Sequence, residues 1–125
     1  MTDLFKDIEE FHVKFGLNKP QQPTQLDPHT HDFRVDFMLE ELHEYRLAHG
    51  QGNVVDQLDA LVDLAYVVLG TAFMHGFDFN EAWRRVHAAN MQKVRATSPD
   101  VSKRNSSLDV VKPEGWTPPD LSDLT

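Results

Sequence analysis

Seven carboxylates lie within two consecutive predicted helices of this chain. They are Asp36, Glu40, Glu41 and Glu44 on the first helix and Asp56, Asp59 and Asp63 on the second. The second helix is otherwise apolar on nearly every side over residues 58–74, which is typical of a core helix. Burying bare carboxylates costs several kcal/mol each, and no Lys or Arg occurs between residues 48 and 80 to neutralise them. The pattern therefore predicts a hard divalent cation shared by the acids of both helices.

Helix geometry indicates which acids would share that cation. Glu41 and Glu44 lie about 60° apart on one helix, and folding the chain back at Gln51 sets position 44 level with about 58. Position 40 is then level with about 62, so Glu41 and Glu44 fall opposite Asp59 and Asp63. These four are the predicted metal ligands, and Mg²⁺ is the expected ion, with Mn²⁺ as the alternative.

The same acids have simpler interpretations. Clustered Glu residues on a helix often serve only solubility, and Asp56 could be a helix-start charge favoured by the macrodipole. Asp59 and Asp63 favour the metal site, because a long apolar helix has little other use for them.

The hydrophobic pattern predicts an all-α protein, a four-to-five-helix bundle with an extended C-terminal tail. The expected helices span about 2–15, 32–48, 54–75 and 78–97, with a Pro-rich loop over 17–31. Residues 1–98 would form the helical domain. Residues 99–125 would form a tail that packs on that domain or on a neighbouring subunit. No strand-like alternation and no internal repeat are evident.

Composition limits the classes of function. The chain has 125 residues, no Cys and a net charge of −8, which argues against nucleic-acid or anionic-membrane binding and excludes thiolate metal sites. The longest apolar run is interrupted by Asp63 and falls short of the ~20 residues that a bilayer requires. We therefore expect a cytoplasmic protein. Residues 93–112 alone carry +3, which suits either a phosphate-bearing substrate or a solvated tail.

The third predicted helix is apolar on more sides than a two-helix layer can cover. We therefore expect a homo-oligomer, dimer or tetramer, with the site near a subunit contact.

Three segments resemble the all-α nucleoside triphosphate pyrophosphohydrolase superfamily, which includes MazG-type enzymes, dimeric dUTPases and phosphoribosyl-ATP pyrophosphohydrolase. They are FMLEELHEY at 37–45, DALVDLAYVVLG at 59–70 and AANMQKV at 88–94. The first matches the family motif E-E-x-x-E. In the second, Asp63 resembles the Asp of the motif E-x-x-D, but Ala60 stands where the family has Glu. Asp59, or less readily Asp56, would replace that Glu.

The resemblance implies hydrolysis between the α and β phosphates of a nucleoside triphosphate, giving a nucleoside monophosphate and pyrophosphate. It implies that Glu41 contributes to catalysis as a metal ligand, and that Glu40 orients or deprotonates the attacking water. Asn90 and Lys93 would bind phosphate or sugar. An exposed helix charge is the simpler interpretation of Glu40, a solvent lysine that of Lys93, and a polar core or subunit contact that of Asn90.

Two other functions stay open on the sequence. The first is phosphoribosyl-ATP pyrophosphohydrolase, with the same chemistry on a different substrate. The second is a non-enzymatic helical module whose carboxylates bind a structural cation.

Overall fold

The chain is all-α, and its described residues form four helices followed by a small β-ribbon. A computed structural model of the chain describes residues 2–125. The helices are α1 (Leu4–Lys14), α2 (Pro28–Gly50), α3 (Val54–His75) and α4 (Phe79–Asn90). Strands β1 (Val94–Arg95) and β2 (Val110–Val111) pair antiparallel, and short 3₁₀ turns lie at Pro99–Val101 and Ser122–Leu124.

Capping residues set the ends of these helices. Asp3 and Asn53 cap α1 and α3 by accepting the backbone N–H three residues later, and Gly76 ends α3 with a left-handed φ of 80°. Helix α2 begins one turn earlier than the sequence predicted. Asp27 accepts the N–H of Thr30 at 3.0 Å, and Pro28 takes the first helical position, where its missing N–H costs nothing.

The chain after α4 differs from the prediction. Helix α4 ends at Asn90 rather than near residue 97, and the next residues turn into β1. Val94 pairs with Val111 and Arg95 with Val110. The β-branched valines of both strands favour this pairing over further helix. The expectation of no strand was therefore wrong for this segment.

The fold divides into two compact units. The first runs to Phe79 and includes Thr125, and the second is Asn80–Leu124. In the first unit α2 packs along α3, and α1 packs on α3. Helix α3 is long and apolar enough to cross a membrane, but the core helices of soluble proteins meet the same criteria of length and composition. The tail boundary at residue 99 stays a prediction.

A buried polar cluster joins the three helices of the first unit. Arg34 of α2 is buried, and its guanidinium donates to the carbonyl of Val67 at 2.9 Å and to the Thr71 hydroxyl at 3.0 Å. His12 of α1 is buried beside it, with its ring 4.8 Å from that of Phe73. These bonds fix the register of α2 against α3.

Gly70 gives this cluster its space, so Gly70→Ala should destabilise the protein by roughly 1–3 kcal/mol through overpacking. A Cβ at this position would lie 2.7 Å from Arg34 Nη2 and 2.9 Å from His12 Nε2. Neither group can move without disturbing the buried cluster. Urea unfolding measures the change, with Gly50→Ala as the control, because no atom lies within 4 Å of a Cβ there. Equal stability of the two variants would contradict the prediction.

His12 should make the protein less stable in acid. Burial lowers the pKa of its imidazole below the ordinary 6.5, and the Arg34 charge acts in the same direction. The unfolded chain therefore binds this proton more readily than the folded chain. Stability from His12 is present above pH 6.5 and is lost as the pH falls through the lowered pKa. Unfolding free energies measured between pH 5 and 7.5 should vary less steeply in His12→Gln, and an unchanged slope would contradict the assignment.

Candidate active site

The α2–α3 hairpin sets the register of the candidate acids. The bonds from Arg34 to Val67 and Thr71 place position 34 of α2 level with positions 67–71 of α3. Since the helices run antiparallel from the turn at Gln51, position 41 lies level with about 60–64, two turns from the arginine. This agrees with the register predicted from the sequence. Glu41 and Asp63 therefore lie at the same level of the hairpin.

Glu41 is a carboxylate in an apolar position. It shares the buried stripe of α2 with Arg34 and Ala48, each seven residues away, and is 7% exposed. Its Oε2 atom is buried and has no hydrogen-bond partner in the described part of the chain. Burial, followed by the charges of Glu44 and Asp63, raises the pKa of Glu41 from 4.5 to about 7. An acid held in this way lacks a positive partner.

The neighbouring acids act on one another across the hairpin. Burial raises the pKa of Asp63, and the charges of Asp59 and Glu44 raise it further. Glu41 is affected by Glu44 and Asp63 in turn. The four predicted ligands therefore form one electrostatically connected cluster, here called the acid cluster: Glu41, Glu44, Asp59 and Asp63.

The position where the family motif has Glu is well defined. Ala60 is 3% exposed and lies on the buried stripe of α3 with Val67, at the level of Glu41. Asp59 is exposed and points about 100° away from Ala60. Asp56 lies in the first turn of α3, where Asn53 Nδ2 donates to its carboxylate at 2.7 Å. Asp56 is thus engaged at the helix start, and Asp59 is the better placed of the two.

The acid cluster is not closed around a cation. Among residues 2–125, no three His, Asp or Glu side chains converge closely enough to hold a metal ion. The donor set still fits Mg²⁺, because it offers only carboxylate oxygens, one of which is a buried oxygen without a partner. The raised pKa values show that these acids disfavour sharing the site as bare anions. A cation would relieve that repulsion once the side chains turned toward it.

The remaining predicted residues are placed as follows. Glu40 is exposed on α2, and its charge adds to the field at Glu41. Asn90 and Lys93 belong to the second unit: Asn90 is the last residue of α4, and Lys93 immediately precedes β1. Their contacts with a substrate stay predictions.

Sequence reasoning missed the Arg34–His12 cluster beside the site. Arg34 is buried about two turns along α2 from Glu41, and it bonds to α3 rather than to the acids. The available signal was its spacing, because Arg34 precedes Glu41 by seven residues on one helix stripe. Arg34 positions the hairpin that carries the acids.

Comparison with known proteins agrees with this geometry. A family model described as phosphoribosyl-ATP pyrophosphohydrolase matches residues 8–90, which is more than half of the chain. The matched region contains the whole acid cluster and the hairpin that carries it. The comparison with curated proteins gave no match. The chain therefore belongs to the phosphoribosyl-ATP pyrophosphohydrolase family, hydrolases acting on acid anhydrides within the all-α nucleoside triphosphate pyrophosphohydrolase superfamily.

Proposed function

We propose that this pyrophosphohydrolase is Mg²⁺-dependent and cleaves a nucleoside triphosphate between its α and β phosphates. The supporting observation is Glu41, whose buried Oε2 has no partner at the level of Asp63 on the facing helix. A buried carboxylate of this kind destabilises the protein unless a cation binds. Membership of a hydrolase family favours an enzyme over a non-enzymatic module with a structural cation.

The reaction assigns a task to each acid. Water adds to the α-phosphorus, the bond from that phosphorus to the bridging oxygen breaks, and pyrophosphate leaves with the oxygen. Glu41, Glu44, Asp59 and Asp63 would hold Mg²⁺, which neutralises phosphate oxygens and acidifies water when bound. Glu40, adjacent to the acid cluster and open to solvent, would accept the proton of the attacking water.

Phosphoribosyl-ATP is the second candidate substrate, because the matching family model carries that name. Both substrates contain the same α–β phosphoanhydride bond, so the acid cluster serves either. The choice between the two substrates would depend on the groups of the protein that contact the base and the sugar.

A panel assay tests both proposals. Pyrophosphate release is measured from the eight common nucleoside triphosphates and from phosphoribosyl-ATP, in Mg²⁺, in Mn²⁺ and in EDTA. We expect metal-dependent turnover of at least one compound, with Asp63→Asn as the inactive control. Turnover that persists in EDTA would refute the metal dependence, and a folded protein that hydrolyses none of them would refute the function.

We also propose that the chain is a homodimer or homotetramer. Three apolar side chains on one face of α3, opposite its buried stripe, are more than half exposed: Val55, Leu58 and Val62. On α2, Leu39 and Leu42 are exposed as well. Exposed apolar side chains grouped on one face of α3 indicate a contact site, and a second copy of the chain would cover it. The proposed location stays cytoplasmic, with neither nucleic acid nor membrane as a partner.

A further inference from the structure

Two lysines of the second unit face each other across the β-ribbon. The register pairs Val94 with Val111, and continuing it by one residue sets Lys93 opposite Lys112. Like charges directly opposite each other are destabilising. Such an arrangement calls for an explanation in terms of the groups around it.

Both ammonium groups lie over the same indole. Lys93 Nζ is 5.2 Å from the centroid of the Trp116 ring, and Lys112 Nζ is 5.1 Å from it. The two charges are therefore no more than about 10 Å apart. Each cation–π contact contributes attraction, which offsets part of the repulsion between the lysines.

Trp116 is a fixed platform for these lysines. Its indole Nε1–H donates to the carbonyl of Ala89 in the last turn of α4 at 2.7 Å, and the residue is half-buried. The ring thus cannot turn freely, and the lysine stems are directed to one place.

Three acidic residues of this unit pair with arginines and not with these lysines. Asp109 is bonded to Arg104, Asp123 to Arg85, and Glu81 to Arg84. Within residues 2–125, neither Lys93 nor Lys112 forms an ion pair. The two positive charges beside the Trp116 ring thus remain available to a multivalent anion.

We propose that Lys93 and Lys112, held over Trp116, bind a diphosphate group. A diphosphate carries several negative charges along its length, so it can meet two ammonium groups at once, whereas a single phosphate meets them less well. Lys93 was predicted from the sequence to contact substrate, and the structure adds Lys112 and Trp116. The inference rests on the proposed function, because pyrophosphate is the product that function predicts.

Titration calorimetry of the full chain with inorganic pyrophosphate tests the site. EDTA removes divalent cations, so binding does not pass through the acid cluster. At ~0.15 M salt, we expect Lys112→Gln to weaken pyrophosphate binding by at least about 10-fold. Lys112→Arg should stay within about 3-fold of the parent, since it keeps the charge over the ring. AMP should bind more weakly than pyrophosphate.

Lys103→Gln is the matched control, because it removes the same charge from an exposed position in the same unit. An equal effect of Lys103→Gln and Lys112→Gln would overturn the site, as would equal affinity for AMP and pyrophosphate. Nucleotide hydrolysis is measured separately on each variant. Lys112-dependent binding without any hydrolysis refutes the proposed function alone, and hydrolysis without Lys112-dependent binding refutes this inference alone.

Discussion

Glu41→Gln is expected to lower kcat/KM for pyrophosphate release by at least about 100-fold, because it removes a charged ligand from the proposed cation site. In the same variant freed of divalent cations, the free energy of unfolding should rise by roughly 1–3 kcal/mol. A loss of activity combined with a gain in stability is expected of a buried carboxylate whose charge is not neutralised when the cation is absent. Initial rates in Mg²⁺ and urea unfolding in EDTA provide the two measurements.

The stability gain follows from the state of Glu41 in the folded chain. Its carboxylate is buried, its Oε2 has no partner, and its pKa is raised to about 7. A raised pKa means that stability is greatest below the unfolded value of 4.5 and is lost as the pH rises through 7. At pH 8 the wild-type protein therefore contains an unneutralised buried charge, whereas glutamine is neutral and nearly the same size. Adding Mg²⁺ should stabilise the wild-type protein more than the variant.

Glu10→Gln is the control for both measurements, since Glu10 is exposed on α1 and lies outside the acid cluster. It should leave the rate and the stability nearly unchanged. If Glu41→Gln keeps normal activity, or if it destabilises the metal-free protein, the assignment of Glu41 to a cation site is wrong.

The hairpin that carries the acids could be predicted from the sequence because local signals determine it. Gly76 ends α3, the turn at 50–53 is polar and glycine-rich, and antiparallel helices joined by a short turn have a fixed register. The structure then sets Glu41 level with Asp63 through the bonds of Arg34. The family could be predicted from the same residues, since the acid motifs lie within the region that the family model matches.

Other features could not be predicted, because they depend on contacts between residues distant in sequence. Helix α4 ends at Asn90, and the chain then enters β1. Val94 of β1 pairs with Val111, which lies 17 positions away, so no local sequence pattern indicates this pairing. The place of Lys112 over Trp116 likewise depends on that pairing. The spacing of Arg34 from Glu41 is the one local signal of its burial, whereas its contact with Gly70 depends on how α2 packs on α3.

The exposed face of α3 leads to the second large effect, which is on assembly. Leu58→Glu should convert the proposed oligomer to monomers at micromolar concentration, because it places a charge in the middle of an apolar contact. Leu58 is 64% exposed in the single chain, between Val55 and Val62 on the same face. An isolated charge buried at such a contact costs several kcal/mol, which is enough to dissociate a micromolar complex.

Val13→Glu on α1 is the matched control, because Val13 is also 64% exposed and gains the same charge but lies off this face. Light scattering of both variants and of the wild-type protein measures the mass. The wild-type protein and Val13→Glu should remain oligomeric while Leu58→Glu becomes monomeric. A monomeric wild-type protein would leave the apolar face of α3 without the partner proposed for it, and an oligomeric Leu58→Glu would move the contact to another surface. In the first case, the acid cluster would have to work within one chain; in the second, any subunit contact near it would lie away from this face of α3.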